Sequence, residues 1–465
     1  MTLLGPKIVA ARAVGGLARR AGRGGGTSLP GKVLMGLERD AISELAGQLP
    51  HGCAVISATN GKTTTAAMTA SVLERSGLAL VHNRAGANMA GGVASALLAA
   101  ARPGKAIAAQ FGVFEVDEFW LERLVAELKP RAILLLNLFR DQLDRYGELE
   151  TIADRWAAVA ASLPATTALV LNADDPLIAD LGRGLDERNG PRVRYFGIED
   201  DALASSQLQH AADSKHCRRC GAPYHYDAVY LGHLGRYRCQ NCGQQRPTPS
   251  LAAEHVTLQG TRSARFALST PHGTARIALP LPGLYNVYNA LGAAALCLEL
   301  GANLEDVKAG LESVQAAFGR AERIKIGSVE VQVLLMKNPA GANELIRTLA
   351  LEGGELDLLG VLNDGIADGR DVSWIWDADF ELLVTNVRRI TCAGIRAAEL
   401  AVRLKYAGLP TDRMMVAPRL PQALDTALVS ASHAARQLYV LPTYTALLEL
   451  REELAARGHS QPFWR

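Results

Sequence analysis

From about residue 50 onward, short apolar and β-branched runs alternate with longer Ala- and Leu-rich stretches of helical period. That alternation is the signature of βαβ units feeding a parallel sheet. The clearest strands are CAVISA from 53, AIAAQFGVFEV from 106, RAILLLNL from 131 and ATTALVLNA from 165, and each ends in polar residues. In a parallel sheet the carboxyl ends of the strands share one edge, where ligands bind. Ser57 with Thr59, Glu115, Asn137 with Asp141, and Asn172 with Asp174 are therefore expected along one crevice. Polar strand ends would explain each of these singly.

The alternation breaks between about 206 and 248, where Cys, His, Tyr, Gly and Arg dominate. It resumes through TARIALPLPGLYNVYNALGAAALCLELG, an extended segment, a turn and a helix. A further α/β pattern runs from near 320 to the end, with strands at LDLLGVLN, RRITCAGI and RQLYVLPTY. The expected organisation is a basic helical segment at 1–48, a parallel-sheet domain at 49–317 carrying an insertion at 206–248, and an α/β domain at 318–465. No internal repeat is evident, and the low-complexity piece is GRGGG at 22–26.

Composition narrows the function. A chain of 465 residues is too long for one ordinary core. A net charge of +2 argues against a dedicated nucleic-acid binder. No run approaches the length of about 20 apolar residues that a membrane span needs. The basic N-terminus lacks the apolar core and cleavage site of a secretory signal, so the expected location is cytoplasmic. Its positive charge would suit either a plain first helix or peripheral contact with the anionic inner face of the plasma membrane.

The most specific local signal is VISATNGKTTT at 55–65, a strand leading through a tight turn into a helix of about 15 residues. Backbone N–H groups at Thr59, Asn60, Gly61 and Thr64 can face phosphate oxygens, Lys62 can pair with the outer phosphates, and Thr63 can ligate magnesium. The loop is shorter than GxxxxGK[ST], since Ile56 stands where that motif has its first glycine. It resembles the GTNGKT loop of the Mur ligases and folylpolyglutamate synthetases, which use ATP to join an amine to a carboxylate. Ala58 replaces that loop's leading glycine, and positive φ there would strain it by about 1 kcal/mol.

In FEVDEF, Glu115 ends a buried strand, where an ionised carboxylate is costly without a cation. The resemblance assigns Glu115 to a magnesium ion. NLFRDQLDRYGELETIADRW is similar to the family's segment built on Asp-His-Leu-Asp, with Gln142 at the His position. Trp156 or a neighbour stands where many members carry a carbamylated lysine, so a second, carbamate-held magnesium is not expected. LNADDP, GLYNVYNALGAAA and FGRAER follow in the family's order, implying nucleotide contacts by Asn172, Asn286, Asn289 and Arg320. Singly, such asparagines are also common helix caps.

Of seven cysteines, Cys53, Cys297 and Cys392 sit in apolar runs and read as core. Cys217 and Cys220 form one CxxC and Cys239 and Cys242 another, with 18 residues between, a spacing suited to a four-thiolate zinc site. With all four positions filled by protein, such a zinc is structural. RRC and LGRYRCQ also fit a ribbon that touches nucleic acid.

In LLGVLNDGIADGRDVSWIWDADFELL, Asp364, Asp368 and Asp371 crowd one loop after a strand, with Trp374 and Trp376 behind. They repel unless they meet cations or donors; turn-capping aspartates are the plainer account. Together with KNPAGAN and LPTYTALLE, this loop makes nearly the whole chain resemble the amidating branch of the Mur ligases, the ligase subunits of lipid II isoglutaminyl synthases. The implied fold is α/β: a Mur ligase middle, ATP-binding domain with a phosphate loop, interrupted by a zinc ribbon and followed by a Rossmann-like domain. The implied activity is ATP-dependent amidation of the α-carboxyl of D-glutamate in the lipid II stem peptide, through an acyl phosphate, with Lys62 and Glu115 catalytic. Ammonia would come from a GatD-type glutamine amidotransferase partner, whose triad Asp371 would complete. None of the single cysteines lies in a nucleophile elbow. An amino-acid-adding ligase and a zinc-ribbon nucleic-acid module are the alternatives.

Overall fold

The computed structural model describes residues 4–20, 28–83, 87–102, 107–141, 149–185, 189–205, 207–209, 212–315, 320–433 and 437–460. Strands β1 Cys53–Ser57, β2 Leu80–His82, β3 Phe111–Glu115, β4 Ala132–Leu135, β5 Ala168–Asn172 and β6 Arg192–Ile198 run parallel, in the order 6-5-4-1-3-2. A hairpin, β7 Tyr224–Leu231 with β8 Leu234–Cys239, interrupts them. The chain then returns as β9 Leu251–Gln259, parallel to β6, and β10 Ser263–Thr270 and β11 Gly273–Leu279 close this first sheet antiparallel.

The strand runs are apolar without a break because both faces of the sheet are covered. Cys53 and Val55 of β1, Ile133 and Leu135 of β4, and Leu169 and Leu171 of β5 join one core. Their neighbours Ala54, Ile56, Ala132, Leu134, Ala168 and Val170 face the other core, against the helix Leu284–Glu299. The N-terminal helix Leu4–Arg20 lies on the first of these layers: Ile8 and Ala11 are buried, and the Arg12 Nη2 donates to Leu98 O at 2.7 Å.

The second sheet comprises β12 Arg320–Ile326, β13 Val329–Leu334, β14 Leu356–Val361, β15 Val387–Ala393, β16 Met414–Val416 and β17 Gln437–Pro442, ordered 12-13-17-14-15-16. All neighbours are parallel except the β12–β13 pair. The helices Pro339–Ala350 and Tyr444–Ala456 start at the carboxyl ends of β13 and β17. Several strands are shorter than the apolar runs that announce them; the run from 106 is strand only at Phe111–Glu115.

Candidate functional site

Thr59 N–H donates to Asn137 O at 3.1 Å, Asn60 N–H to the Asn137 side-chain oxygen at 2.9 Å, and Asn137 Nδ2 back to Asn60 O at 3.0 Å. Thr59 Oγ1 accepts from Phe139 N at 3.0 Å. These bonds fix the phosphate loop to the end of β4. Gly61 turns it at φ +90°, and a Cβ there would meet Asn289 Oδ1 at 2.0 Å, so only glycine fits. Ala58 is buried and is not left-handed, so the strain anticipated for it does not arise.

Lys62 and Thr63 open the helix Lys62–Arg75. Lys62 is buried; its Nζ donates to Glu118 Oε2 at 2.9 Å and to the Ala58 carbonyl. Thr63 Oγ1 donates to Glu115 Oε1 at 3.1 Å, and Glu115 is 2% exposed. The indole of Trp156, at the position considered for a carbamylated lysine, is buried and donates from Nε1 to Glu118 O at 3.1 Å. It braces the acid that holds Lys62. Gln142 lies outside the described residues.

A cavity of about 330 Å³ opens at this point. From the first sheet it is lined by the loop Thr59 to Thr64, by Glu115, Asp117 and Glu118, by Asn137, Phe139 and Asp141, and by Tyr285, Tyr288 and Asn289. From the second sheet come Ala321, Leu334, Lys337, Ala340, Gly341, Glu344 and Tyr444, and from the hairpin Leu231 and Leu234. Two side-chain pairs join the sheets across it. Asn60 and Asn338 exchange amide hydrogen bonds at 3.0 and 3.2 Å, and Lys337 pairs with Asp141. Ala321 sits at φ +65° where the β12–β13 register shifts, a strained alanine on the cavity wall.

Five carboxylates (Glu115, Asp117, Glu118, Asp141, Glu344) against two lysines make the lining acidic. A polyphosphate would be repelled unless divalent cations came with it. Glu115 beside the Thr63 hydroxyl offers hard oxygen ligands at the helix start, a donor set suited to magnesium.

The remaining expected site residues fall elsewhere. Asn172 and Asn286 do not line the cavity. Asn172 Nδ2 donates to Leu136 O at 3.0 Å and its Oδ1 accepts from Asp174 N, while Asn286 Nδ2 donates to Pro282 O at 2.7 Å and its Oδ1 accepts from Asn289. Both shape backbone next to the site. Arg320 begins β12, but its side chain lies outside the described residues. Asp174, fully buried, accepts from Arg246 Nε at 2.5 Å, Tyr288 OH at 2.7 Å and Ile198 N at 2.9 Å; burial pushes its carboxyl up against these bonds.

The aspartate loop does not act as one cluster. Asp364 pairs with Arg396 at 2.8 Å, and Asp368 is buried and accepts from Thr445 N at 2.8 Å. Asp371 is exposed, away from the cavity; the Ser373 side chain, and after it the Ser373 N–H that donates at 2.8 Å, hold its carboxyl below the usual range. The four sulfurs of Cys217, Cys220, Cys239 and Cys242 lie within 4.8 Å of one another, with Cys217 to Cys242 at 3.5 Å and Cys220 to Cys239 at 3.4 Å. Ligands about 2.3 Å from a tetrahedral zinc would stand at comparable separations, so the cluster fits the metal.

Sequence reasoning missed Glu118, Asn338, Glu344 and the hairpin tip. Glu118 stands three residues after Glu115, and Asn338 and Glu344 lie in and beside KNPAGAN, so the motifs were in view; their meeting with residues far away in the chain was not.

Residues 56–243 match the Mur ligase middle domain family, and residues 335–447 match the MurT ligase C-terminal family. The chain is 34% identical over 438 residues to the lipid II isoglutaminyl synthase (glutamine-hydrolyzing) subunit MurT of Streptococcus pneumoniae, covering 93% of each chain. To the same subunit of Staphylococcus aureus it is 32% identical over 446 residues, covering 94% of this chain and 95% of the other. In fold it is similar to MurF from Acinetobacter baumannii, with a TM-score of 0.66 at 22% identity, over 92% of this chain and 80% of that one. A Mur-type parallel sheet, a phosphate loop that opens into a cavity shared with a second α/β sheet, and these two full-length likenesses lead to one assignment: the chain belongs to the MurT family of Mur-type ligases.

Proposed function

We propose that the chain is the ligase half of a lipid II isoglutaminyl synthase, amidating the α-carboxyl of D-glutamate in the stem peptide with ATP and with ammonia made by a partner. The observation that carries this reading is the single cavity in which Lys62, Thr63 and Glu115 from one sheet meet the KNPAGAN helix of the other. The relatives' names, glutamine-hydrolyzing synthase subunits, supply the reaction class.

In this reading the backbone of Thr59 to Thr64 and the start of the helix Lys62–Arg75 grip the phosphates. Lys62 exchanges its bond to Glu118 for the outer phosphates. Thr63 and Glu115 would hold magnesium, which when bound supplies charge neutralisation for the transferring phosphoryl group. Asn289 abuts Gly61 and orders the loop, with Asn172, Asn286 and Arg320 completing its surroundings. Asp371, exposed and ionised, would orient the histidine of a GatD-type glutaminase across the subunit interface. The segments 1–48, 49–317 and 318–465 act as an N-terminal support, the ATP-binding domain and a Rossmann-like domain. The insertion 206–248 is a structural zinc ribbon. No helix among the described residues is long and apolar enough to cross a membrane; access to lipid II is from the cytoplasmic face, as a peripheral protein.

The amino-acid-adding alternative is not favoured, because the MurT C-terminal family, not an amino-acid-adding one, matches 335–447. Purified with a glutaminase partner, the chain is expected to convert lipid II to a product one mass unit lighter, with release of phosphate. Product formation only when a free amino acid replaces glutamine or ammonia would overturn the reading. Asp371→Asn is expected to abolish glutamine-driven amidation while ammonium-driven amidation and nucleotide binding persist, read by mass spectrometry and nucleotide titration.

A further inference from the structure

Glu344 has no role in the reading above, yet it lines the same cavity. It sits on the helix Pro339–Ala350 and is 5% exposed. A carboxylate buried in a cavity wall is costly to ionise and calls for a reason. Its surroundings are particular. The Gln209 side chain bonds it, and Arg347, one turn along the same helix, is the cation that attracts it. The Arg347 guanidinium is itself engaged: with the Gln209 amide oriented to satisfy its neighbours, the amide oxygen accepts from both Arg347 Nη atoms and from Gly232 N, each at 3.0 Å. The other four acids of the cavity have different surroundings: Glu118 pairs with Lys62, Asp141 with Lys337, Glu115 accepts from Thr63, and Asp117 accepts from Phe119 N at 3.2 Å.

We infer that Glu344 is the base that takes the proton from ammonia as it attacks the activated carboxyl, an inference that rests on the amidation reading. The nitrogen lone pair forms the C–N bond to the acyl carbon, leaving one proton too many on nitrogen. Glu344 accepts that proton. The tetrahedral centre then collapses: the C–O bond to phosphorus breaks, its electron pair leaves with inorganic phosphate, and the phosphate takes the proton back from Glu344. Amide and phosphate result, and the carboxylate is regenerated. Burial pushes the Glu344 carboxyl up to about 7, so it both accepts and returns a proton near neutral pH.

The test uses the full-length chain with lipid II in detergent, ATP and magnesium, and two nucleophiles. Hydroxylamine is mostly unprotonated at neutral pH and traps acyl phosphates unaided; ammonium chloride supplies ammonia. Glu344→Gln keeps the shape and removes the base. It is expected to form hydroxamate within about twofold of the unaltered chain while amide formation falls by roughly 100-fold or more in kcat. Glu344→Asp, which keeps a carboxylate, is expected to recover at least about tenfold of that loss. An amide rate in Glu344→Gln close to that of the unaltered chain overturns the inference. Parallel loss of hydroxamate and amide, with nucleotide binding intact, also overturns it, since the residue would then serve phosphoryl transfer or packing. If the unaltered chain makes amide but no hydroxamate, the acyl phosphate reading falls, and this inference with it.

Discussion

Buried ionisable groups in the cavity have opposite consequences for stability. Lys62 and Glu118 are both nearly inaccessible and pair at 2.9 Å. Removing one partner leaves the other charge buried alone, at a cost of about 3–5 kcal/mol. Lys62→Met is therefore expected to lower the urea-unfolding free energy by that amount and to abolish amidation. Lys62→Met with Glu118→Gln is expected to regain most of the stability and none of the activity. Glu344 behaves differently because its carboxyl is raised from 4.5 to about 7 by burial. Between those values the folded state holds a proton that the unfolded state has lost, so stability falls as pH rises through that window. The penalty, roughly 3 kcal/mol, is complete above about pH 7. Glu344→Gln is expected to unfold at a higher urea midpoint than the unaltered chain at pH 8 and at a similar one at pH 4.5. A residue kept at a cost to stability is what a functional site requires. The sequence displayed Lys62 plainly within its motif. It did not show Glu344, because an acid in an amphipathic helix reads as solvent-facing until the second face of that helix is known to be covered.

At the level of elements, the hairpin β7–β8 links the cysteine cluster to the cavity. Cys239 ends β8 at one end, and Leu231 and Leu234 reach the cavity wall at the other. Between them Tyr224, Tyr226 and Tyr237 pack edge to face or tilted, with ring centroids 5.2 to 6.3 Å apart. At the tip His233, wholly buried, lies against Phe139 at 4.8 Å and beside Asp175 at 3.5 Å. Phe139 is the residue whose N–H holds Thr59 of the phosphate loop. Without metal the cysteine end has little to fold around. Chelation or Cys239→Ser is thus expected to raise amide hydrogen exchange across 224–239 first, and to weaken nucleotide binding by about tenfold, equivalent to 1.4 kcal/mol. Exchange confined to 217–242 with unchanged nucleotide affinity would show that the cysteine end of the hairpin does not support the loop. The CxxC spacing made the cluster legible. Its reach did not follow from spacing, because a hairpin's length does not say against which element its tip will pack.

Across the whole molecule, the cavity exists only where the two sheets meet. Besides the Asn60 to Asn338 amide pair, Thr261 Oγ1 donates to Glu352 at 2.8 Å, and Gln332 Nε2 donates to Thr261 O at 2.9 Å. Asn338 also caps the helix Pro339–Ala350, its Oδ1 accepting from Gly341 N at 2.9 Å. Asn338→Asp keeps the cap and sets carboxylate against the Asn60 oxygen, whereas Asn338→Ala loses both. Small-angle scattering is expected to show a larger radius of gyration for both variants. Only the alanine form should also lose about 1 kcal/mol of thermal stability through the missing cap. By itself the sequence determined the class of fold, the strands, the phosphate loop and the pairing of the four clustered cysteines. These rest on local period and short spacing: the apolar runs of β1, β4 and β5, the turn at Gly61, the two CxxC pairs. Tertiary structure alone decided which polar residues share the cavity. It sent Asn172 and Asn286 to brace backbone, gave Lys62 a carboxylate partner, dispersed Asp364, Asp368 and Asp371 to separate contacts, and brought Glu344 to face the phosphate loop's cavity. The reason is physical: a side chain's neighbours across a sheet or between domains are fixed by packing of segments hundreds of residues apart, and no local pattern carries that information.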